Sequence, residues 1–568
     1  MTANKTNPIV SITLEGFQIF DKPTYIPLDR LTLLFGPNSA GKSAVQDALE
    51  LYTELLKCEV HKSNSTLPFL PTFPRIKSTL EEIELLLNRH WRRQGDNGNH
   101  RSERFSICVS QIHFSNDPIE ISVPKRLGRF LSENVINASK EHLIESRWFF
   151  DGSDFVGEEV FSLFDFDFEF LIDSKTLISY KDANFSVYLD HHVFHNFQSE
   201  FNFHEVAEKY SKHVSYTDGC FTILEGVAGL NPSGQLDRWG RWLYWNLNRK
   251  VSLDGKVNAP EVYENSGILD AIDEISFMLH GFLLVTLGDF SKFSFKQNKV
   301  DASREIPKRS DLIFKIGCFN DFIDDMNFWD LKKNDSIYSG LMYSLTSELT
   351  RFLYDGLKKD YSENVNRILS DHLFLDQGYR IDFDYRVILS KEASEAAVQG
   401  VKLQPYDFGY IFEIFLRDGK GRKHLFEDVG SGIGYLLPVL CTILRPLGGI
   451  GPSVFSVQQP ELHIHPALQA AMGDVFIEAS AEDRQILIET HSEHLLLRIL
   501  KRIRQTHLQT AIAPELKINA DDVCVLYFDP SPDGTTTVKR LRITEDGEFM
   551  DRWPRGFFAE RDQELLDE

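Results

Sequence analysis

Eight residues near the start, Gly36-Pro-Asn-Ser-Ala-Gly41-Lys42-Ser43, constrain the chain more than any other stretch. They fit G-x-x-x-x-G-K-[ST]: the glycines let backbone N–H groups close around phosphates, the lysine reaches the β and γ phosphates, and the hydroxyl helps to hold Mg²⁺. The motif requires a strand before it and a helix after it, and the flanks supply both. RLTLLF is a short apolar run that reads as a buried strand, while Val45, Ala48, Leu49, Tyr52, Leu55 and Leu56 recur at the spacing of one helix face. Asn38, Ser39, Ala40, Gly41, Lys42 and Ser43 are therefore candidate nucleotide-binding residues, and Ser43 is also a candidate metal ligand.

A chain of 568 residues is too long for one ordinary core, so a large composite domain plus a further module is expected. An apolar share of 42% with 44 Phe is ample for buried faces. No stretch approaches the roughly 20 uninterrupted apolar residues of a membrane span, and the opening MTANKTNP lacks a secretory apolar region; a cytoplasmic protein with no membrane partner is expected. The six cysteines never form a CxxC, which disfavours a zinc ribbon or a disulfide framework. A net charge of −23 opposes a globally basic nucleic-acid footprint, and a local basic stripe keeps nucleic acid open as a partner.

Along the chain, ITLEGFQIF alternates as a strand, a helix is expected near Leu80 to Leu87, and RFSICVSQIHF reads as a strand. The basic, Gly-containing stretch 89–104 between them reads as an exposed loop or a nucleic-acid contact. Residues 115–260 are aromatic-rich strands and loops without a motif. Helical periodicity returns in LDAIDEISFMLHGFLLV and SGLMYSLTSELTRFLYDGLKKDY, then strands in RIDFDYRVIL and YIFEIFLRDG. From SVFSV onward strands and helices alternate through QILIETH, VCVLYF and TTTVKRLRI, which argues for an α/β layer.

A second set of chemistry-bearing residues lies in the last quarter. The strand Ser453–Val457 leads into Gln458-Gln459-Pro460-Glu461-Leu462-His463-Ile464-His465-Pro466, and Gln485–Ile488 leads into Glu489-Thr490-His491-Ser492-Glu493-His494. Before both, Asp428-Val-Gly-Ser431-Gly432-Ile-Gly434 is a Gly/Ser turn opening an apolar helix. This ordered series resembles the ATP-binding cassette ATPases of the overcoming-lysogenisation-defect and SMC-like group, with their signature turn, Walker B strand and switch histidine. The tail RLRITEDGEFMDRWPRGFF resembles a small uncharacterised domain attached to many bacterial members, and Ser303-Arg304-Glu305-Ile306-Pro307 is a weaker echo.

The resemblance implies an ATPase using ATP and Mg²⁺, with an α/β head assembled from N- and C-terminal segments around a long, partly helical central insertion. The expected segments are 8–115 (head, with the phosphate loop), 116–378 (insertion, helical after about 266), 379–520 (head, second part) and 521–568 (β-rich extension). It implies that Ser431 and Gly432 cap the γ-phosphate held by a second subunit, so a head-to-tail homodimer makes two composite sites. It also implies that His491 contacts the γ-phosphate or the attacking water.

The departures matter as much as the matches. Gln458 stands where the group normally has an acidic Walker B residue, and Gln459 where a catalytic Glu is frequent; an amide holds hydrated Mg²⁺ and orients water poorly. Gln458, Gln459 and His491 are thus the candidate catalytic residues, with Gln458 the second candidate metal position. Natural degeneracy, an engineered or otherwise inactivating Glu-to-Gln change at Gln458, which is the favoured reading, and substitution by Glu461 or Glu489 are the explanations. Gly434-Tyr435 also departs from the usual polar pair of the signature turn.

Other constellations have plainer readings. His463 and His465 fit a dimer-contact loop better than a metal site, and His191, His192 and His195 lie in an aromatic-rich stretch with nothing else in the sequence pointing to zinc. On the helix after His491, Leu495, Leu496, Ile499 and Ile503 form an apolar face, and Arg498, Lys501 and Arg502 a basic face that is solvated or meets DNA. The resemblance further implies a nucleotide-dependent switch or scaffold in an antiphage defence system, controlling a separate nuclease or toxin as in Septu-type systems. Alternatives are a DNA-end-binding repair ATPase of the SMC-like kind, weakened by the lack of heptad arms, and a Toprim-type nuclease, weakened because VCVLYFDPSPDG lacks a two-metal carboxylate set.

Overall fold

A computed structural model of the chain describes residues 9–57, 104–114, 141–151, 166–191, 202–223, 296–317, 360–445 and 453–554, apart from short breaks at 182–183, 210, 212–213, 375–376, 390, 403–407, 481–483 and 533. The chain opens with β1 (Ile9–Glu15), β2 (Thr24–Pro27), β3 (Leu31–Phe35) and α1 (Lys42–Lys57). It continues through β4 (Arg104–Phe114), β5 (Glu141–Asp151), β6 (Phe166–Ile172), β7 (Lys175–Lys181), β8 (Asn184–Tyr188), α2 (Phe203–Lys209), β9 (Val214–Thr217) and β10 (Cys220–Ile223). The second half holds β11 (Lys296–Val300), β12 (Ile313–Gly317), α3 (Asp360–Ile368), β13 (Arg380–Leu389), α4 (Lys391–Val398), β14 (Phe408–Arg417) and β15 (Lys423–His424). It closes with α5 (Ser431–Ile443), β16 (Ser453–Gln458), α6 (Pro466–Ala479), β17 (Arg484–Glu489), α7 (Glu493–His507), β18 (Val523–Pro530) and β19 (Thr536–Leu541).

The fold is mixed α/β. One sheet runs β11-β16-β17-β3-β18-β19, with β11, β16, β17, β3 and β18 parallel and β19 antiparallel at the edge. Its inner strands are near-continuous apolar runs, as burial on both faces requires: β3 is buried throughout, and so is β16 up to Gln458. A second sheet is an antiparallel meander, β2-β1-β4-β5-β6-β7-β8-β10-β9, and β12, β14, β13 and β15 form a third. Helix α5 is so apolar that everything from Ile433 to Ile443 but Tyr435 is buried; together with α3, α6 and α7 it fills one core against the parallel sheet. Among the described residues no helix is long and apolar enough to cross a membrane.

Three segment boundaries read from the sequence differ from the strand pairing. The boundary at 115/116 cuts through the meander, since β4 pairs with β5 along its whole length. Residues 116–378 contain β11, which is paired in parallel with β16 and so belongs to the nucleotide-binding layer. Its sequence KQNKV escapes detection because an edge strand carries polar and lysine side chains instead of an apolar run. Likewise β18, inside the expected extension 521–568, lies beside β3 as an inner strand, and its VCVLYF is buried as such a strand must be. The expected helices near 80–87 and 269–285 lie outside the described residues, as do most of the basic stretch 89–104 and of the periodic run that ends at Tyr361.

Candidate nucleotide site

All parallel strands point their C-terminal ends at one edge, and the phosphate-loop residues leave that edge from β3. The loop bends sharply: Ser39 and Gly41 both have left-handed backbones, at φ 63° and 90°. A Cβ on Gly41 would come within 2.2 Å of the Ile19 side chain, so only glycine satisfies both the angle and the space. Asn38 and Ser39 are exposed and Ala40 is buried, as a loop facing a ligand on one side requires. Lys42 opens α1 and is buried; its ammonium donates to the carbonyls of Gly36 and Pro37, both at 2.9 Å. Burial lowers its pKa despite the Glu489 carboxylate 3.7 Å away.

Register decides what meets that lysine. Glu489, the last residue of β17, lies opposite Leu34 of β3 on one side and Gln458 of β16 on the other. Its carboxylate accepts a 3.0 Å hydrogen bond from the Ser43 hydroxyl. Gln458 reaches elsewhere, donating to the Gln46 amide oxygen at 2.9 Å and accepting from the Ala302 N–H at 3.2 Å. Gln459 follows with a left-handed backbone, φ 44°, and its N–H donates to the Glu489 carbonyl at 2.7 Å. The structure thus gathers Lys42, Ser43, Gln458, Gln459 and Glu489 at one sheet edge.

The two turns beyond β16 and β17 are tied by Glu461. Its carboxylate accepts from the Thr490 hydroxyl at 2.8 Å and from the His491 N–H at 2.7 Å, and burial raises its pKa. The imidazole of His491 titrates below its ordinary value because it is buried and because the positive charge of Lys42 opposes protonation. Ser492 caps α7 by accepting from the Leu495 N–H at 3.1 Å, and His465 caps α6 in the same manner from Ala467 at 3.2 Å. His463 stacks on Tyr435, ring centroids 4.5 Å apart, so both histidines of that turn have structural partners.

Ser431 and Gly432 sit at the N-terminus of α5, Ser431 exposed and the helix without a side-chain cap. They pack beside the turn after β16, where a Cβ on Gly432 would lie 3.5 Å from Ile464. Gly434, the departure from the usual signature wording, has a packing reason: a Cβ there would fall 2.6 Å from Ile306.

Arg304, which sequence reasoning left as part of a faint echo, holds this arrangement together. Its guanidinium donates to the carbonyls of Tyr435 at 2.9 Å, Gln458 at 3.0 Å, Gln459 at 3.0 Å, Pro460 at 3.3 Å and Asp301 at 3.5 Å. One planar fork with five donors thereby fixes α5, the turn after β16 and the loop after β11. The signal that points to it is the Ser303–Pro307 run itself. On α7, Arg498 and Arg502 both pair with the buried Asp474 of α6, at 2.5 and 2.7 Å, so most of that basic face is bound within the protein. His191 is buried, its Nε2 3.2 Å from the Lys175 carbonyl; His192 and His195 lie outside the described residues.

Residues 294–498 match the family model described as "AAA domain, putative AbiEii toxin, Type IV TA system", and residues 518–567 match one described as a protein of unknown function (DUF3696). No curated protein matches the chain in sequence. Similar solved structures include an SMC head bound to the C-winged helix domain of ScpA, 12% identical over 94% of this chain and 98% of that one, with a TM-score of 0.35. The SMC head domain from Thermotoga maritima is 8% identical over 94% and 99%, at 0.32. A Pyrococcus furiosus SMC head with an extended coiled coil, bound to the C-terminal domain of ScpA, is 12% identical over 99% of both chains, at 0.33. Residues 294–498 are thus similar to an AAA-family ATPase domain of the AbiEii-like kind, and their strands β11, β16 and β17 share one parallel sheet with the strand that leads into the phosphate loop.

Proposed function

We propose that the chain is a nucleotide-driven switch whose heads close on ATP as a homodimer and whose own turnover is slow. The observation that carries this reading is the convergence of Lys42, Ser43 and the tips of β16 and β17 at one edge of the parallel sheet. Asn38 to Ser43 wrap the phosphates, and Lys42 exchanges its loop carbonyls for phosphate oxygens. Mg²⁺, where bound, would draw negative charge off the phosphates, and Ser43 would be its hydroxyl donor. His491, held neutral by burial, accepts or relays a hydrogen bond at the γ-phosphate, and its backbone is fixed by Glu461. Gln459 can position a water but cannot accept its proton, so hydrolysis is impaired while binding persists.

The uncapped N-terminus of α5, with Ser431 exposed, suits the γ-phosphate of a partner head, since its free N–H groups attract anions. The biological assignment follows the motif resemblance, which supports the ATPase subunit of an antiphage defence system that governs a separate nuclease or toxin. Calorimetric titration with ATP tests the core of the reading. The chain should bind ATP, and Lys42→Ala should bind about 100-fold more weakly; no binding by the unaltered chain sinks it. Phage plating on cells carrying the gene with its neighbours tests the defence role, which fails if Lys42→Ala restricts phage equally well.

A further inference from the structure

We infer that the carboxylate that holds Mg²⁺ in this site is Glu489, displaced one strand from the place where Gln458 stands; the inference rests on the nucleotide-binding reading above. Four observations converge on it. First, Glu489 meets the hydroxyl of Ser43, the residue of the phosphate loop that serves the metal, with oxygens 3.0 Å apart. Two oxygens bound side by side on a regular octahedron with metal–oxygen distances of about 2.1 Å are separated by about 3 Å, so this donor pair fits the small, geometrically strict Mg²⁺.

Second, Gln458 is otherwise engaged. Its amide nitrogen bonds Gln46 and its amide oxygen bonds the Ala302 N–H, so both ends of the side chain already have partners away from Ser43. Third, the sheet order explains the displacement. β17 lies between β16 and β3, so its last residue is one strand nearer the phosphate loop than the last residue of β16. A carboxylate at 489 reaches Ser43 directly, and with it in place an acid at 458 is dispensable for metal binding.

Fourth, the charge balance of the site demands a cation. Glu489 is buried, Lys42 is the one cation among the described residues within ion-pair distance of it, and that lysine is the group that must turn to the phosphates. A triphosphate arriving beside a buried carboxylate is repelled unless a divalent ion lies between them. Mg²⁺ with one protein carboxylate, one hydroxyl, phosphate oxygens and water is the usual composition of such sites. The carboxylate that would otherwise oppose ATP therefore makes ATP binding depend on the metal.

The test measures ATP affinity by equilibrium dialysis in Mg²⁺ and again in EDTA, for the unaltered chain, Glu489→Gln, Glu489→Asp and Gln458→Ala, with thermal unfolding confirming that each is folded. The ratio of the two affinities is the coupling between metal and nucleotide. The unaltered chain should show a coupling of at least about tenfold. Glu489→Gln should bring it close to one, largely because metal-free ATP now binds more tightly, and Glu489→Asp should retain part of it. Electron paramagnetic resonance of Mn²⁺ with ATP should show fewer protein-bound ions for Glu489→Gln than for the unaltered chain. A coupling preserved in Glu489→Gln and lost in Gln458→Ala places the metal on β16 and overturns the inference, leaving nucleotide binding intact. Absence of ATP binding by the unaltered chain in both buffers overturns the nucleotide reading itself.

Discussion

The tips of β16 and β17 occupy equivalent places and have opposite character. The strands are parallel neighbours in register, Val457 against Ile488 and Gln458 against Glu489, and each leads through a short turn into a helix capped by its first side chain, His465 or Ser492. The β16 tip is neutral and pinned: Gln458 bonds Gln46 and Ala302, Gln459 adopts a left-handed backbone, and Arg304 takes three consecutive carbonyls. The β17 tip is charged and faces the phosphate loop, through Ser43 and Lys42. The difference teaches that the strand beside β3 governs what the phosphate loop meets, while the neighbouring strand supplies shape. Motif wording alone assigns these roles the other way round.

The largest effect that could break this comparison is expected at Glu461, which reaches from the β16 turn to the β17 turn. Glu461→Ala strands the Thr490 hydroxyl and the His491 N–H in a buried setting and should cost about 3 kcal/mol, read by urea unfolding. A loss below about 1 kcal/mol would mean that the turns are independent. Next comes the chemistry that the β16 tip lacks. Gln459→Glu should raise ATP turnover about 100-fold, equivalent to about 2.7 kcal/mol, if a missing base is what makes hydrolysis slow. Unchanged turnover with intact ATP binding would move the defect away from β16.

A smaller loss, about 2 kcal/mol, is expected for Arg304→Lys, because an ammonium has three donors and cannot reproduce a planar fork on five carbonyls. Hydrogen exchange should quicken at both the start of α5 and the Gln458–Pro460 turn; acceleration at one alone would show that Arg304 does not join them.

Sequence reasoning reached the β3–loop–α1 unit, the α/β alternation after residue 453 and each of the motif turns, because all depend on local patterns: an apolar run, a Gly-rich bend, a capped amphipathic helix. It missed what depends on pairing between distant segments. Nothing in KQNKV indicates that β11 completes the parallel sheet, since an edge strand need not be apolar. Nothing local to Arg304 reveals its carbonyl partners, which lie more than a hundred residues away apart from Asp301. The role of Glu489 was legible only as one of several acids near an unexpected glutamine; strand order is what separates it from Glu461, which is turned to Thr490 and His491.

The smallest expected effect concerns how the two tips keep their register beyond the sheet. Helix α6 follows the β16 tip and α7 follows the β17 tip, and Asp474 of α6 clamps Arg498 and Arg502 of α7. Gly473 lets the helices approach, since a Cβ there would lie 3.0 Å from the Arg498 side chain. Burial pushes the Asp474 carboxyl up, but the hydrogen bonds and charges of Arg502 and Arg498 outweigh it and leave the pKa lowered. A carboxyl whose folded pKa lies below its unfolded value of about 3.9 contributes stability that is complete at neutral pH and is lost as pH falls through the folded value. Asp474→Asn should therefore cost about 1 kcal/mol at pH 7, and the gap in melting temperature to the unaltered chain should close below about pH 4. A gap that stays constant down to pH 3 would assign the cost to lost packing, leaving the strands alone to hold Gln458 opposite Glu489.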